Sequence, residues 1–108
     1  MEVYGLVGPS GTGKSHRAIS VAHALDVDLI IDDGLVIQDT RILGGFSAKR
    51  QPTRIGAIRT ALFFDDEHAR KAREIIKEAA PQKVLILATS ARMAERIAQR
   101  LDLPPLAR

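Results

Sequence analysis

Three glycines, a lysine and two serines lie within the eight residues of segment 8–15, which reads GPSGTGKS. Glycine lacks a Cβ atom, so the backbone can take positive φ angles here and turn successive N–H groups toward one point. Such a concave set of donors binds an anion, and the lysine and hydroxyl that follow complement a phosphate group. The pattern G-x-x-x-x-G-K-[ST] is matched at every fixed position, which predicts a phosphate-binding loop. A glycine-rich turn without a ligand is the competing interpretation, which the apolar run before it and the helical pattern after it disfavour.

The residues of this segment have distinct expected roles. Lys14 would reach the β- and γ-phosphates of a nucleotide as a point charge and take part in catalysis, and the Ser15 hydroxyl would ligate Mg²⁺. A helix that begins near residue 13 would add the positive end of its dipole. His16 belongs to the binding segment by position, although its side chain is expected to be solvated. The predicted nucleotide-binding residues are Gly8, Pro9, Ser10, Gly11, Thr12, Gly13, Lys14, Ser15 and His16.

Two adjacent carboxylates follow the mainly apolar run 27–31 and precede Gly34. Ligands of open α/β sheets lie outside the carboxyl ends of strands, so Asp32 and Asp33 are expected at the same edge as the loop. One carboxylate there can hold Mg²⁺, and a neighbour can take a proton from an attacking hydroxyl. Asp and Gly also favour turns for local backbone reasons, so a polar turn is the competing interpretation.

With both motifs present, the chain resembles the P-loop NTPases and kinases. GPSGTGKS is similar to their Walker A sequence, and LIIDD resembles a Walker B strand. Over residues 3–45 the order of phosphate loop, helix, strand ending in Asp-Asp and apolar hairpin looks like the HPr kinase/phosphorylase type of P-loop kinase. This resemblance implies that Asp32 is the acid/base carboxylate and that Asp33 is associated with the metal.

The first half of the chain contains the elements that would position these motifs. Residues 2–7 read as a buried central strand. A helix is predicted from residue 14 to about residue 25, and the hairpin arms are predicted at 35–37 and 40–43, closed by two glycines. The residues expected on the core side of the first helix are Ala18, Ile19, Val21, Ala22 and Leu25.

The basic segment 46–54 reads FSAKRQPTR and lacks periodicity, which predicts a loop leading into a helix started by Pro52. Ile55, Ile58 and Leu62 are expected on the buried side of that helix. The segment could be a lid that closes over nucleotide phosphates, where an arginine would stabilise charge on the transferred group. An ordinary solvated basic surface is the competing interpretation. The cations of the predicted lid are Lys49, Arg50, Arg54 and Arg59.

Acidic residues 65–67 are expected to open the next helix, which runs to about residue 80. They would cap its first turn and complement its dipole rather than bind a metal. A buried strand is predicted at 84–88, and the Thr89 or Ser90 hydroxyl at its end could bond the γ-phosphate. The residues expected to face inward from this helix are Ala69, Ala72, Ile76 and Ala79.

The last predicted helix, residues 91–101, combines an apolar stripe with a basic one. The basic stripe is expected to be a solvated face and only secondarily a surface for polyanions. The apolar stripe consists of Ala94, Ile97, Ala98 and Leu101, and the basic stripe of Arg92, Arg96 and Arg100.

The amino-acid composition limits the class of protein to which the chain can belong. The 108 residues are 45% hydrophobic and 27% charged, which predicts one ordinary globular domain spanning 1–108. The sequence has neither an apolar run near the roughly 20 residues of a membrane span nor a secretion signal, so a cytoplasmic location without membrane contact is expected. The absence of cysteine excludes disulfides and thiolate chemistry. A net charge of +3 favours anionic ligands, but four aromatic residues offer little stacking surface, which disfavours nucleic acid as a partner.

The order of elements predicts a three-layer α/β domain of the P-loop NTPase type. Its small, mainly parallel sheet would carry the phosphate loop on a central strand. Three parallel strands would leave exposed edges, so the sheet is expected to be extended by the hairpin, covered by a second copy of the chain, or completed by further sequence beyond an N-terminal fragment.

The expected function is Mg²⁺-dependent binding of ATP or GTP. The chain would be a phosphotransferase or NTPase that acts at the γ-phosphate, with an acceptor that the sequence does not name. A nucleotide-dependent regulatory module with little turnover is the alternative, favoured by the short chain and by the lack of an obvious substrate pocket. A nucleic-acid-binding protein is a third possible class, supported only by the excess of basic over acidic residues.

Overall fold

A mixed sheet lies at the centre of the computed structural model, which describes residues 1–9, 14–39 and 41–107. Within these ranges the strands follow the spatial order β1-β5-β2-β3-β4. β1, β5 and β2 pair in parallel, whereas β2, β3 and β4 are joined as antiparallel neighbours, so the sheet is mixed rather than mainly parallel. The strands are β1 (Glu2–Val7), β2 (Leu29–Asp32), β3 (Leu35–Gln38), β4 (Arg41–Gly45) and β5 (Lys83–Ala88).

Helices cover both faces of the sheet, which confirms the α/β layering. α1 packs on the face that presents Leu85 and Leu87, and α3 and α4 pack on the face that presents Val84 and Ile86. Among the described residues, no helix combines the length and the apolar character needed to cross a membrane. The helices are α1 (Lys14–Leu25), α2 (Arg54–Ala61), α3 (Asp66–Ala79) and α4 (Ala91–Arg100), with a 3₁₀ helix at Ala48–Arg50.

The position of β1 differs from the prediction, because β1 lies at an edge of the described sheet and not at its centre. β5 takes the central place between β1 and β2. Its five successive buried residues, 84–88, require cover on both faces, which only an interior strand receives. In β1 only Val3 is fully buried, and the side chain of Glu2 is exposed. The more apolar strand therefore occupies the interior position.

A tight turn joins β2 to β3. It is the polar turn that was the competing interpretation of the Asp pair and Gly34. Asp33 and Gly34 have φ angles of 50° and 85°, and positive φ at both central residues defines the type I′ turn typical of two-residue hairpins. β3 and β4 form the predicted apolar hairpin. Of the three expected ways to cover the sheet edge, the described residues show the first, because the hairpin extends the sheet beyond β2.

The acidic start of α3 has the capping role expected of it. Asp65 Oδ1 accepts a hydrogen bond of 3.0 Å from the backbone N–H of His68. Arg100 Nη2 donates to Asp66 Oδ1 over 2.6 Å, and this bond, with the charge of Arg100, lowers the pKa of the Asp66 carboxyl. Arg100 also donates to the backbone oxygens of Phe63 and Phe64. α3 and α4 are thereby joined at one end.

Two helices bury different residues from those predicted. α2 begins at Arg54 because the Thr53 hydroxyl caps it, accepting from the Gly56 N–H at 2.9 Å, and not at Pro52. Its Ile55 and Ile58 are 66% and 53% exposed, since α2 packs on the 3₁₀ helix at the end of the sheet rather than on a sheet face. In α1, Ile19 is likewise exposed, whereas Ala18 is buried.

Candidate functional site

A groove of about 940 Å³ lies at the carboxyl ends of β2 and β5. It is bounded by the first turn of α1, the 3₁₀ helix, α2 and the start of α4. Its lining combines polar and charged side chains with apolar side chains of α2, β5 and α4. The lining residues are His16, Asp32, Asp33, Ala48, Lys49, Arg54, Ala57, Ile58, Ala61, Leu62, Leu87, Ala88, Thr89, Ser90, Arg92, Met93 and Arg96.

The glycine-rich segment leaves β1 at the same edge. Val7 is paired with Ala88, and the Gly8 N–H donates to the Ala88 carbonyl oxygen over 3.1 Å. α1 begins at Lys14, and the exposed His16 in its first turn lines the groove. The predicted site residues Ser10, Gly11, Thr12 and Gly13, and the side chains of Lys14 and Ser15, lie outside the described part of the structure.

Asp32 and Asp33 both line the groove but have different surroundings. Asp32 is the last residue of β2 and is paired with Leu35. Strand alternation places it on the sheet face of Ile30, which is the face that α1 covers. Asp33 lies in the turn, where its carbonyl oxygen accepts from the Ala48 N–H and its carboxylate lies 3.6 Å from Lys49 Nζ. Asp33 can therefore form the turn while both carboxylates line the groove, so the two interpretations of the pair are compatible.

The predicted lid is divided between the groove and the outer surface. Lys49 and Arg54 line the groove. Arg59 lies over the ring of Phe64, with 5.3 Å from its guanidinium carbon to the ring centroid, and so is turned away. The Lys49 side chain is 71% exposed, and exposed ion pairs contribute at most about 1 kcal/mol, so the pair with Asp33 can open readily.

We expect nucleotide to slow hydrogen exchange in residues 49–54, because closure would order this segment through new phosphate contacts. The amides of Ala48, Lys49, Arg50 and Gln51 already donate hydrogen bonds and Pro52 has no amide proton, so the largest change is expected at Thr53 and Arg54. The measurement is amide exchange with and without a non-hydrolysable ATP analogue. An unchanged exchange rate over these residues, in a sample that binds the analogue, would return the segment to ordinary surface.

The hydroxyls predicted to reach the γ-phosphate both lie in the groove lining. Ser90 caps α4, and its Oγ accepts from the Met93 N–H at 3.1 Å. The Thr89 hydroxyl lies 3.4 Å from Met93 Sδ. The cap uses the acceptor side of the Ser90 hydroxyl, so its proton can still be donated into the groove.

Two of the three arginines of the α4 stripe, Arg92 and Arg96, are exposed as predicted, whereas Arg100 is partly buried. Arg100 bonds backbone oxygens near α3, as described above. Arg92 and Arg96 line the groove instead. The spacing of four residues places the three arginines on one side of α4. The two ends of α4 have different tertiary contacts, so the three side chains have different surroundings.

His68 was not predicted as a functional residue, although its buried side chain supports the Asp33–Gly34 turn. Its side chain is 3% exposed and stacks on Phe63, with 4.4 Å between ring centroids. Nε2 lies 2.8 Å from the Gly34 carbonyl oxygen and 3.3 Å from the Phe46 N, so its tautomer selects which of the two it bonds. The signal was present, because His68 precedes the inward residues Ala72 and Ile76 at a constant spacing of four.

These observations define a mixed α/β protein with a cationic groove that contains two carboxylates at the carboxyl ends of parallel strands. Such a groove offers cationic side chains to an anionic ligand. Within the described residues, no group of three or more His, Asp or Glu side chains is placed to hold a metal ion. No protein-family model, curated protein or solved structure matches the chain.

Proposed function

We propose that this chain binds ATP or GTP with Mg²⁺ and acts at the γ-phosphate as a phosphotransferase or NTPase. The observation that carries the proposal is the meeting of three features at one edge: the end of β1 where the glycine-rich segment begins, the Asp pair, and the groove. The sequence predicts a phosphate-binding loop, and the carboxyl ends of parallel strands are where such ligands bind in α/β sheets.

The donor set fits the proposed ligands. Asp32 and Asp33 offer carboxylate oxygens in the groove, and Mg²⁺ prefers oxygen ligands of this kind. Lys14 and the backbone of the loop would hold the phosphates, and Ser15 would share the ion with a carboxylate. The bound ion would offset negative charge that develops on the transferred group.

The geometry favours Asp32 as the carboxylate nearer to the ion, although the resemblance implies Asp33. Ser15 lies in the first turn of α1, and Asp32 lies on the sheet face that α1 covers. Asp33 occupies the turn beside Lys49. In this arrangement Asp33 holds the basic segment near the groove, and Asp32 interacts with the ion.

Asparagine variants of the two positions test both the function and this order. We expect Asp32→Asn to weaken Mg²⁺-dependent ATP binding about tenfold or more, because it removes a charged ligand, and to depress phosphate release. Asp33→Asn is the matched control, since Asn tolerates the positive φ angle and keeps the turn. Its affinity should stay within about twofold of the wild type.

The measurements are ATP affinity with and without Mg²⁺ and the release of γ-phosphate for both variants. The opposite pattern would restore the order that the resemblance implies. Equal, wild-type behaviour of both variants would reduce the pair to turn-forming residues. Tight binding without release, for any nucleotide, would identify a regulatory module.

A further inference from the structure

The groove has two ends, and the proposed nucleotide site uses one of them. His16 and Asp32 lie toward α1, where Lys14 begins the helix. The lining of the same groove also includes Thr89 and Ser90 and residues of α2 and α4. A nucleotide held at the start of α1 would leave this part of the groove for an acceptor.

The second end contains an excess of positive charge. Arg54, Arg92 and Arg96 line it, and within the described ranges none of the three has a carboxylate within ion-pair distance. Three other arginines, Arg70, Arg73 and Arg100, do form ion pairs with carboxylates.

Arg92 and Arg96 are also four residues apart on α4, a spacing at which like charges destabilise a helix. A bound anion would relieve this repulsion. The shape of arginine suits the task, because its planar guanidinium bonds both phosphate and carboxylate groups in bidentate fashion.

Apolar side chains line the groove beside these cations, on the same two helices. Ala57, Ile58 and Leu62 of α2 face the groove together with Met93 of α4. Ile58 is 53% exposed, so part of this lining is uncovered apolar surface. The whole groove, at about 940 Å³, falls at the upper end of the size range of small-molecule sites, which leaves room for a second reactant beside a phosphate chain.

We propose that the end of the groove between α2 and α4 binds the phosphoryl acceptor, a small hydroxyl compound that carries a phosphate or carboxylate group. Arg54, Arg92 and Arg96 bind the anionic group, and the carbon skeleton packs on Ile58 and Met93. This inference rests on the proposed function. In the transfer, the acceptor oxygen forms a bond to the γ-phosphorus, and the bond from that phosphorus to the bridging oxygen breaks. The nucleoside diphosphate leaves with the electron pair of the broken bond. The hydroxyl proton passes to a groove carboxylate or to solvent.

A small acceptor fits the groove better than a nucleic acid does. Single-stranded nucleic acids bind by stacking bases on aromatic side chains, and the described groove lining contains neither phenylalanine nor tyrosine. The three arginines line one groove between two helices, whereas a polyanion is held by cations spread along a face.

The test titrates glycerol 3-phosphate, glycerate and glycerol, without nucleotide, into protein labelled for NMR. The signals followed are the side-chain Nε–Hε groups of Arg54, Arg92 and Arg96. We expect saturable shifts with at least one of the two anionic probes, and none with glycerol. Arg96→Gln should weaken that binding about tenfold, and the matched control Arg41→Gln on the exposed surface of β4 should leave it within about twofold.

Lys14→Ala separates this end of the groove from the phosphate loop, because it should abolish ATP binding and leave probe binding intact. The inference is overturned if neither anion binds, if binding is lost in Lys14→Ala but not in Arg96→Gln, or if only an oligonucleotide or an acidic peptide binds. ATP is titrated in parallel, so that the two proposals can fail separately. ATP binding without probe binding overturns the acceptor site alone, whereas probe binding without ATP binding overturns the proposed function and reduces this end of the groove to an anion site.

Discussion

Replacing Lys14 by alanine is expected to weaken ATP binding about a hundredfold and to leave the folded protein intact. The reason is that a lysine in this motif makes charge-assisted contacts to phosphate, and the loss of such a contact costs roughly 3 kcal/mol. An alanine at the first position of α1 does not oppose helix formation, since alanine is the best helix former. Calorimetry with ATP and Mg²⁺ gives the affinity, and circular dichroism checks the fold.

Lys71→Ala provides the control for a change of net charge. Lys71 is exposed on α3 and lies outside the groove, so its loss should change the affinity less than about twofold. If folded Lys14→Ala bound ATP as the wild type does, the assignment of segment 8–15 as a phosphate-binding loop would be wrong.

The second large effect is expected at Gly34, in the turn that carries Asp33. Gly34 has a φ of +85°, which costs an alanine roughly 1–2 kcal/mol. An added Cβ would also overlap the backbone oxygen of Phe46 and would lie 3.0 Å from the Thr60 oxygen. Backbone atoms cannot rotate away, so overpacking adds roughly 1–3 kcal/mol. Gly34→Ala should therefore lose about 3 kcal/mol of unfolding free energy, as measured by urea denaturation.

Gly44→Ala is the matched control for this turn. Its added Cβ would meet the Cδ1 atom of Ile75 at 2.5 Å, which is the far end of a flexible side chain and can move aside. We expect a loss of about 1 kcal/mol there. Equal losses in the two variants would show that the backbone of the Asp33–Gly34 turn is not the constraint that the structure indicates.

Local patterns predicted most of the elements correctly. Apolar runs, helical periodicity, capping residues and turn glycines located β2, the β3–β4 hairpin, α3, β5 and α4 to within a few residues. The Asp32–Asp33 pair was expected at the carboxyl edge of the sheet, and it lies there with Thr89 and Ser90. These predictions succeed because capping, periodicity and strand burial depend on residues close together in sequence.

Long-range packing explains the errors. Nothing in the six residues of β1 shows that β5, from the far end of the chain, lies between it and β2. The apolar spacing of Ile55 and Ile58 indicated a buried face, but α2 contacts the 3₁₀ helix and the groove and not a sheet face. Arg92 and Arg100 share one helical stripe, and only tertiary contacts distinguish the groove residue from the structural one.

The most direct test of the account is calorimetric titration of the wild-type chain with ATP and with GTP, each with and without Mg²⁺. We expect saturable binding of at least one nucleotide that is strengthened by Mg²⁺, since loop, ion and carboxylate would act on the same phosphates. A folded protein that gives no saturable binding with either nucleotide, in the presence of Mg²⁺, would contradict it.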